Sequence, residues 1–177
     1  MYLTAAASAS SVVRAASILL CSRVTAFPEA SKIFESVSSI ETTDGYIICG
    51  AINGNSILIK LDKTNGSQQF IKTLDNGGTD AFEHLAQIPN GYLAVGYNNA
   101  EDNTNTFFTE GLGYITFLDS NGFKTNGIEI DNYLAQAYRI RSYDNNYYIS
   151  GLTENANDYG LVKLDSLGNI LWSKVYG

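Results

Sequence analysis

Three aspartates stand at matching places along the chain. Asp62, Asp119 and Asp165 each follow a leucine and precede a glycine by three or four residues. Carboxylates at the head of a short polar loop can ligate calcium, and the stretches Asp62 to Gly66 and Asp119 to Gly122 share part of such a loop. Both lack the later acidic residue that completes it. An Asp at a turn start also accepts hydrogen bonds from backbone N–H groups two residues on. Its recurrence in step with the surrounding pattern favours that structural role over a metal site. His84 is the only histidine and lies between Glu83 and Leu85. As a general base it would need an orienting partner and a nucleophile. No Gly-x-Ser-x-Gly or comparable motif supplies one, so a packed or solvent-facing imidazole is expected. Paired-acid chemistry needs two carboxylates brought together in a cleft. Glu101, Asp102 and Glu110 share one long loop, where solvated charges are expected. Cys49 has no basic or histidine neighbour to activate it and reads as a small hydrophobe in a strand. No catalytic residue, metal ligand or cofactor is assigned on these grounds.

The elements that would position such groups repeat. Asp44 to Gly50, Asn90 to Gly96 and Asn145 to Gly151 align as heptapeptides, each with a turn pair, a tyrosine, an apolar run and a closing glycine. Asp-Gly and Asn-Gly at a strand entrance favour positive φ and a tight hairpin. A second element follows each heptapeptide: an apolar strand, then Leu61-Asp62, Leu118-Asp119 or Leu164-Asp165, then a glycine. A fourth strand departs over 67–74, 123–130 and 169–176. A first strand precedes each heptapeptide over 36–43, 82–89 and 137–144. Tyr46, Tyr92 and Tyr147 are aligned and are expected to pack. The predicted class is therefore all-β, a β-propeller of three four-stranded antiparallel blades at about 37–78, 79–131 and 132–177, the repeat period matching propeller blades of about 40–50 residues.

From closing glycine to aspartate the interval is longer in the second repeat than in the other two. That places an insertion of about 10 residues between the second and third strands of that blade, within Asn98 to Glu110. Long loops on a rigid scaffold are where recognition concentrates, and paired phenylalanines can anchor a partner. Asn103, Asn105, Phe107 and Phe108 are the candidate binding residues. The alternative is that both phenylalanines begin the third strand early and join the core.

The repeats resemble a widespread family of bacterial-type β-propeller repeats, often found in exported proteins. The third blade carries the closest likeness: Val162 to Asp165, Gly168 to Trp172 and Tyr176-Gly177. The first keeps Lys60-Leu61-Asp62 but has Phe70 in place of the tryptophan. The second has Thr116 to Asp119 and lacks the aromatic near Ile128. The resemblance implies a fold and little about activity, because propellers host many roles.

Hydrophobic residues make up 45% of the 177 and suffice for a packed core, while a formal charge of −7 with no Lys/Arg cluster argues against nucleic-acid binding. Residues 1–26 contain no acid. A short apolar run from Ala15 to Cys21 follows Arg14, and Val24-Thr25-Ala26 offers small side chains before Phe27-Pro28. This reads as a secretory signal, giving a secreted or cell-surface protein. A mitochondrial or other organellar transit peptide and a start codon placed too early are the rival readings. Residues 27–36 form a linker. A stable membrane span is not expected, because about 20 consecutive apolar residues are needed. Closed propellers have roughly 4 to 8 blades. Three would leave two open apolar ends, so either further blades belong to a longer product or copies close a ring as a homo-oligomer. Function is expected to be a non-catalytic interaction or scaffold propeller binding protein or glycan. The alternatives are a fragment of a larger propeller enzyme and a structural subunit of an organellar assembly.

Overall fold

The structure is a computed structural model that describes residues 34–100, 111–153 and 158–177. Twelve strands are present among them: β1 (Phe34–Glu41), β2 (Gly45–Ile52), β3 (Asn55–Asp62), β4 (Gln68–Leu74), β5 (Thr79–Ile88), β6 (Gly91–Ala100), β7 (Leu112–Asp119), β8 (Lys124–Glu129), β9 (Gln136–Tyr143), β10 (Asn146–Leu152), β11 (Tyr159–Leu164) and β12 (Ile170–Tyr176). They form three four-stranded sheets, β1 to β4, β5 to β8 and β9 to β12, and in each the strands lie in chain order. Every pairing is antiparallel. The chain is all-β, in a three-bladed, propeller-like arrangement. β1 already begins at Phe34, so the last residues of the expected linker belong to the first sheet.

The sheets stack through their first strands. β5 lies against β1, β2 and β3, and β9 lies against β5, β6 and β7. Alternation along each strand sends one face to each neighbour. Ile47, Cys49 and Leu58 meet Phe82, Leu85, Tyr92, Ala94 and Leu118 between the first and second sheets. Leu93, Val95 and Ile115 meet Ile140, Tyr147, Ile149, Val162 and Leu164 between the second and third. Tyr92 and Tyr147 are buried at equivalent places in these two layers, as packing residues should be.

The two terminal faces differ from the expected pair of open apolar ends. On the first sheet the far face is apolar but buried: Ile48, Ile57, Ile59 and Leu61 cluster with Tyr46, Ile52 and Ile71. On the third sheet the far face is open and only partly apolar.

A β-bulge recurs in the first strand of every sheet. Val37, Glu83 and Tyr138 are the extra residues, and Gly50, Gly96 and Gly151 of the neighbouring strands lie beside them. The glycine is required because a Cβ at Gly96 would overlap the carbonyl oxygen of Ala81, and one at Gly151 that of Gln136. Neither needs a left-handed backbone. The turn glycine Gly45 has the same explanation, since its Cβ would collide with Leu61 O. Positive φ occurs at Gly91 of the Asn90-Gly91 pair, as expected there, and also at Asp144 and Asn145 of the β9–β10 turn and at Asn53-Gly54 of the β2–β3 turn. The Asp-Gly pair at 44–45 therefore marks a close backbone approach where the sequence pattern suggested a left-handed turn.

Candidate functional site

The aligned aspartates are occupied by their own turns. Thr64 N and Asn65 N donate to Asp62 Oδ1 at 2.8 and 3.1 Å. Asn121 N and Phe123 N donate to Asp119 Oδ1 at 2.9 and 2.8 Å. Leu167 N and Asn169 N donate to Asp165 Oδ1 at 2.9 and 2.8 Å, and Asn169 Nδ2 donates to Oδ2. In each turn the glycine N–H also returns to the aspartate's carbonyl oxygen. Backbone N–H donation from Thr64 and Asn65 holds the Asp62 carboxyl below its ordinary range, and the side chain and backbone of Asn169 do the same for Asp165. A depressed folded pKa stabilises above the ordinary carboxylate range, and that contribution fades as pH falls through the folded value. Removing both bonds with Asp119→Ala is expected to cost about 1 kcal/mol, read as a lower urea midpoint. Asp119→Asn, which keeps an acceptor oxygen, should retain most of that stability.

The second cluster lies along the inner strands. His84 is half-buried, and its Nδ1 has no hydrogen-bond partner among the described residues. Burial first, then the charges of Arg139 and Arg141, push its pKa down to about 4, so the imidazole is neutral near pH 7. Tyr138 donates its hydroxyl to Gln136 Oε1, and burial, with Glu83 adding to it, pushes its pKa up to about 12. Cys49 is fully buried, and burial, then Glu83, pushes its thiol up and keeps it protonated. The arrangement holds a neutral imidazole in the electrostatic field of two arginines, with a protonated thiol and a protonated phenol. It pairs no nucleophile with a base, and no three His, Cys, Asp or Glu side chains converge among the described residues.

His84 makes a test of this environment. In the unfolded chain it binds a proton from about pH 6.5 downward, and in the folded chain only near pH 4. Stability is therefore full above pH 6.5 and falls as pH is lowered toward 4. After discounting for half exposure the loss is on the order of 1–2 kcal/mol. Urea titrations between pH 7.5 and 5 should show this slope, and His84→Gln should flatten it.

The third feature is the free face of β9 to β12. Register places Arg141, Tyr148, Lys163 and Trp172 in one row across the four strands, and Arg139, Ser150, Leu161 and Lys174 in the next. These side chains point away from the second sheet, because their sequence neighbours Ile140, Tyr147, Ile149, Val162 and Leu164 fill the core between sheets. Lys163 Nζ stands 5.4 Å from the centre of the Tyr148 ring, and Tyr148 meets Trp172 edge to face at 6.3 Å. Tyr159 and Tyr176 pair beside them and are 70% and 55% exposed, so the face presents aromatic surface to solvent. The two rows carry four of the chain's eleven basic residues and no carboxylate, on a chain whose net charge is −7. Sequence reasoning missed this face, because the row exists only once four separate strands are in register.

The expected binding residues Asn103, Asn105, Phe107 and Phe108 lie outside the described residues. Asn98, expected to open the insertion, is instead a buried strand residue opposite Leu112 that accepts a 3.4 Å hydrogen bond from Asn76 Nδ2. Among the described residues no helix is long and apolar enough to cross a membrane. No protein-family model matches the chain, and no curated protein matches it.

Proposed function

We propose that the chain is a non-catalytic interaction scaffold that binds a protein or glycan partner through the free face of its third sheet. The observation that carries this reading is the cross-strand row Arg141–Tyr148–Lys163–Trp172, exposed at its two ends, partly exposed at Tyr148 and Lys163, and free of acids. Tyr, Trp and Arg are the side chains that dominate binding hot spots, and cations resting on aromatic rings lose little on desolvation compared with isolated ones. The turn aspartates support the same reading, because the Oδ1 of each is already committed to backbone N–H groups. The acid-free leader, and the likeness of the repeats to those of exported propellers, support action outside the cytoplasm. Recovery of the processed chain from an organelle rather than the medium would contradict that part.

The test is binding of the immobilised full chain to a panel of acidic proteins and anionic glycans. Binding should weaken at least about tenfold when Arg141→Glu and Lys163→Glu are combined, and should fall with added salt. Binding unchanged by the charge reversal, or no binding across the panel, overturns the assignment of this face.

A further inference from the structure

The two internal junctions show what the free face is shaped to receive. Where the second sheet meets the first, the turn glycine Gly122 sits over Phe70, with a would-be Cβ 2.9 Å from the ring. Lys60, paired across the strands with Phe70, is 7% exposed. Burial opposes its charge, but Asp44, 2.6 Å away, and the Tyr92 hydroxyl of the next sheet hold it protonated. Where the third sheet meets the second, the turn glycine Gly168 sits over Phe117 with a would-be Cβ 2.9 Å from that ring. Tyr147 takes the place of Tyr92 in the cluster that Phe117 packs against. Each junction thus uses two features of the following blade, a turn glycine over an aromatic ring and a tyrosine against the middle of the sheet.

The third sheet repeats the receiving half of the first of these junctions; in the second sheet Phe117 itself stands at the lysine's position, opposite Asn126. Lys163 pairs with Trp172 as Lys60 pairs with Phe70, and Trp172 remains 37% exposed. We infer that this face receives a further blade of the same repeat, carried by a partner polypeptide, with a tyrosine hydroxyl on Lys163 and the glycine of an Asp-x-x-Gly turn over Trp172. The inference rests on the reading above that this face is the binding surface, and it names the partner. Two other occupants fit poorly. A second copy would have to offer its first sheet, whose outer face at Ile48, Ile57 and Ile59 is already buried. Two copies joined by their free faces would bring two sets of Arg139, Arg141, Lys163 and Lys174 together, and like charges juxtaposed at an interface oppose association.

Trp172 is the only tryptophan, so its fluorescence reports directly on this face. The probe is the full chain extended after Gly177 by a second copy of residues 79–131, the blade whose tyrosine and turn glycine meet Lys60 and Phe70. In the extended chain Trp172 emission should shift to the blue, and its acrylamide quenching constant should fall at least about threefold, as packing at interior density requires. Lys163→Glu in the extended chain should reverse most of that protection. A Trp172 that stays exposed overturns the inference whether the added blade is ordered or not, because a receiving face would have to order it. For docking between chains, the extended probe is made with Trp172→Ala and Lys163→Glu, which silences its fluorescence and blocks its own face. Titrated into the native chain, it should protect the native Trp172 saturably. No protection in this titration overturns the partner reading. Protection that instead grows with the concentration of the native chain alone, together with a doubled mass, assigns the face to a second copy and overturns it too. Binding on the acidic panel would survive either failure, so the two readings fail separately.

Discussion

Gly151→Ala is expected to lower the stability of the chain by about 3 kcal/mol or more, at the upper end of what overpacking costs. The new methyl group would overlap Gln136 O and come within 2.9 Å of Gln136 C. Both are main-chain atoms, so no rotamer change relieves the contact. Gln136 is held by the β9–β10 ladder at Leu152, just before the Tyr138 bulge, and cannot retreat without breaking that ladder. Gly66→Ala is the control. Gly66 has φ of +68° with nothing within 4 Å, so alanine there should cost only about 1 kcal/mol of backbone strain. Denaturant midpoints of the two variants separate the effects. A Gly151 variant no weaker than the Gly66 variant would remove close approach as the reason for the repeated glycine.

Ile149→Ala is the second large effect, at about 2–5 kcal/mol for a fully buried isoleucine cut to alanine. Ile149 is 0% exposed and lies in the layer between the second and third sheets. Leu171, half exposed on β12, should cost no more than about 0.5 kcal/mol when replaced in the same way. The location also sets the form of the loss. The third sheet is held by one junction and the second by two, and in stacked repeats each unit draws its stability from its neighbours. In Ile149→Ala the third sheet should therefore melt before the rest. Trp172 fluorescence will then change at lower denaturant than the strand signal in circular dichroism, whereas coincident transitions would mean that the three sheets unfold as one.

Much of this architecture can be read in the amino-acid sequence, because local rules govern it. Aligned heptapeptides and Leu-Asp turns place all twelve strands to within a few residues, and the aspartates hold their turns as a turn-starting carboxylate should. The reason for Gly45 was not legible. An Asp-Gly pair looks the same whether the glycine supplies positive φ or makes room for Leu61 O. The bulges at Val37, Glu83 and Tyr138 leave no compositional mark, since a valine, an acid and a tyrosine share only a backbone role. The free face was hidden for another reason. Arg141, Tyr148, Lys163 and Trp172 are spread along more than thirty residues of chain, and only the β9–β12 register brings them into one row.

The strictly sequential order of strands within every sheet has a kinetic consequence. All nine strand pairings among the described residues join consecutive strands, so none of these ladders has to wait for a distant segment to arrive. Pairing between consecutive strands keeps the chain segment closed by each ladder short, and short closures speed folding. During synthesis each blade can form from the stretch that has just emerged, then serve as the surface on which the next one settles. Assembly is expected to run from the N-terminal blade onward, and the twelve described strands avoid the slow encounter of far-apart strands that retards β-sandwiches.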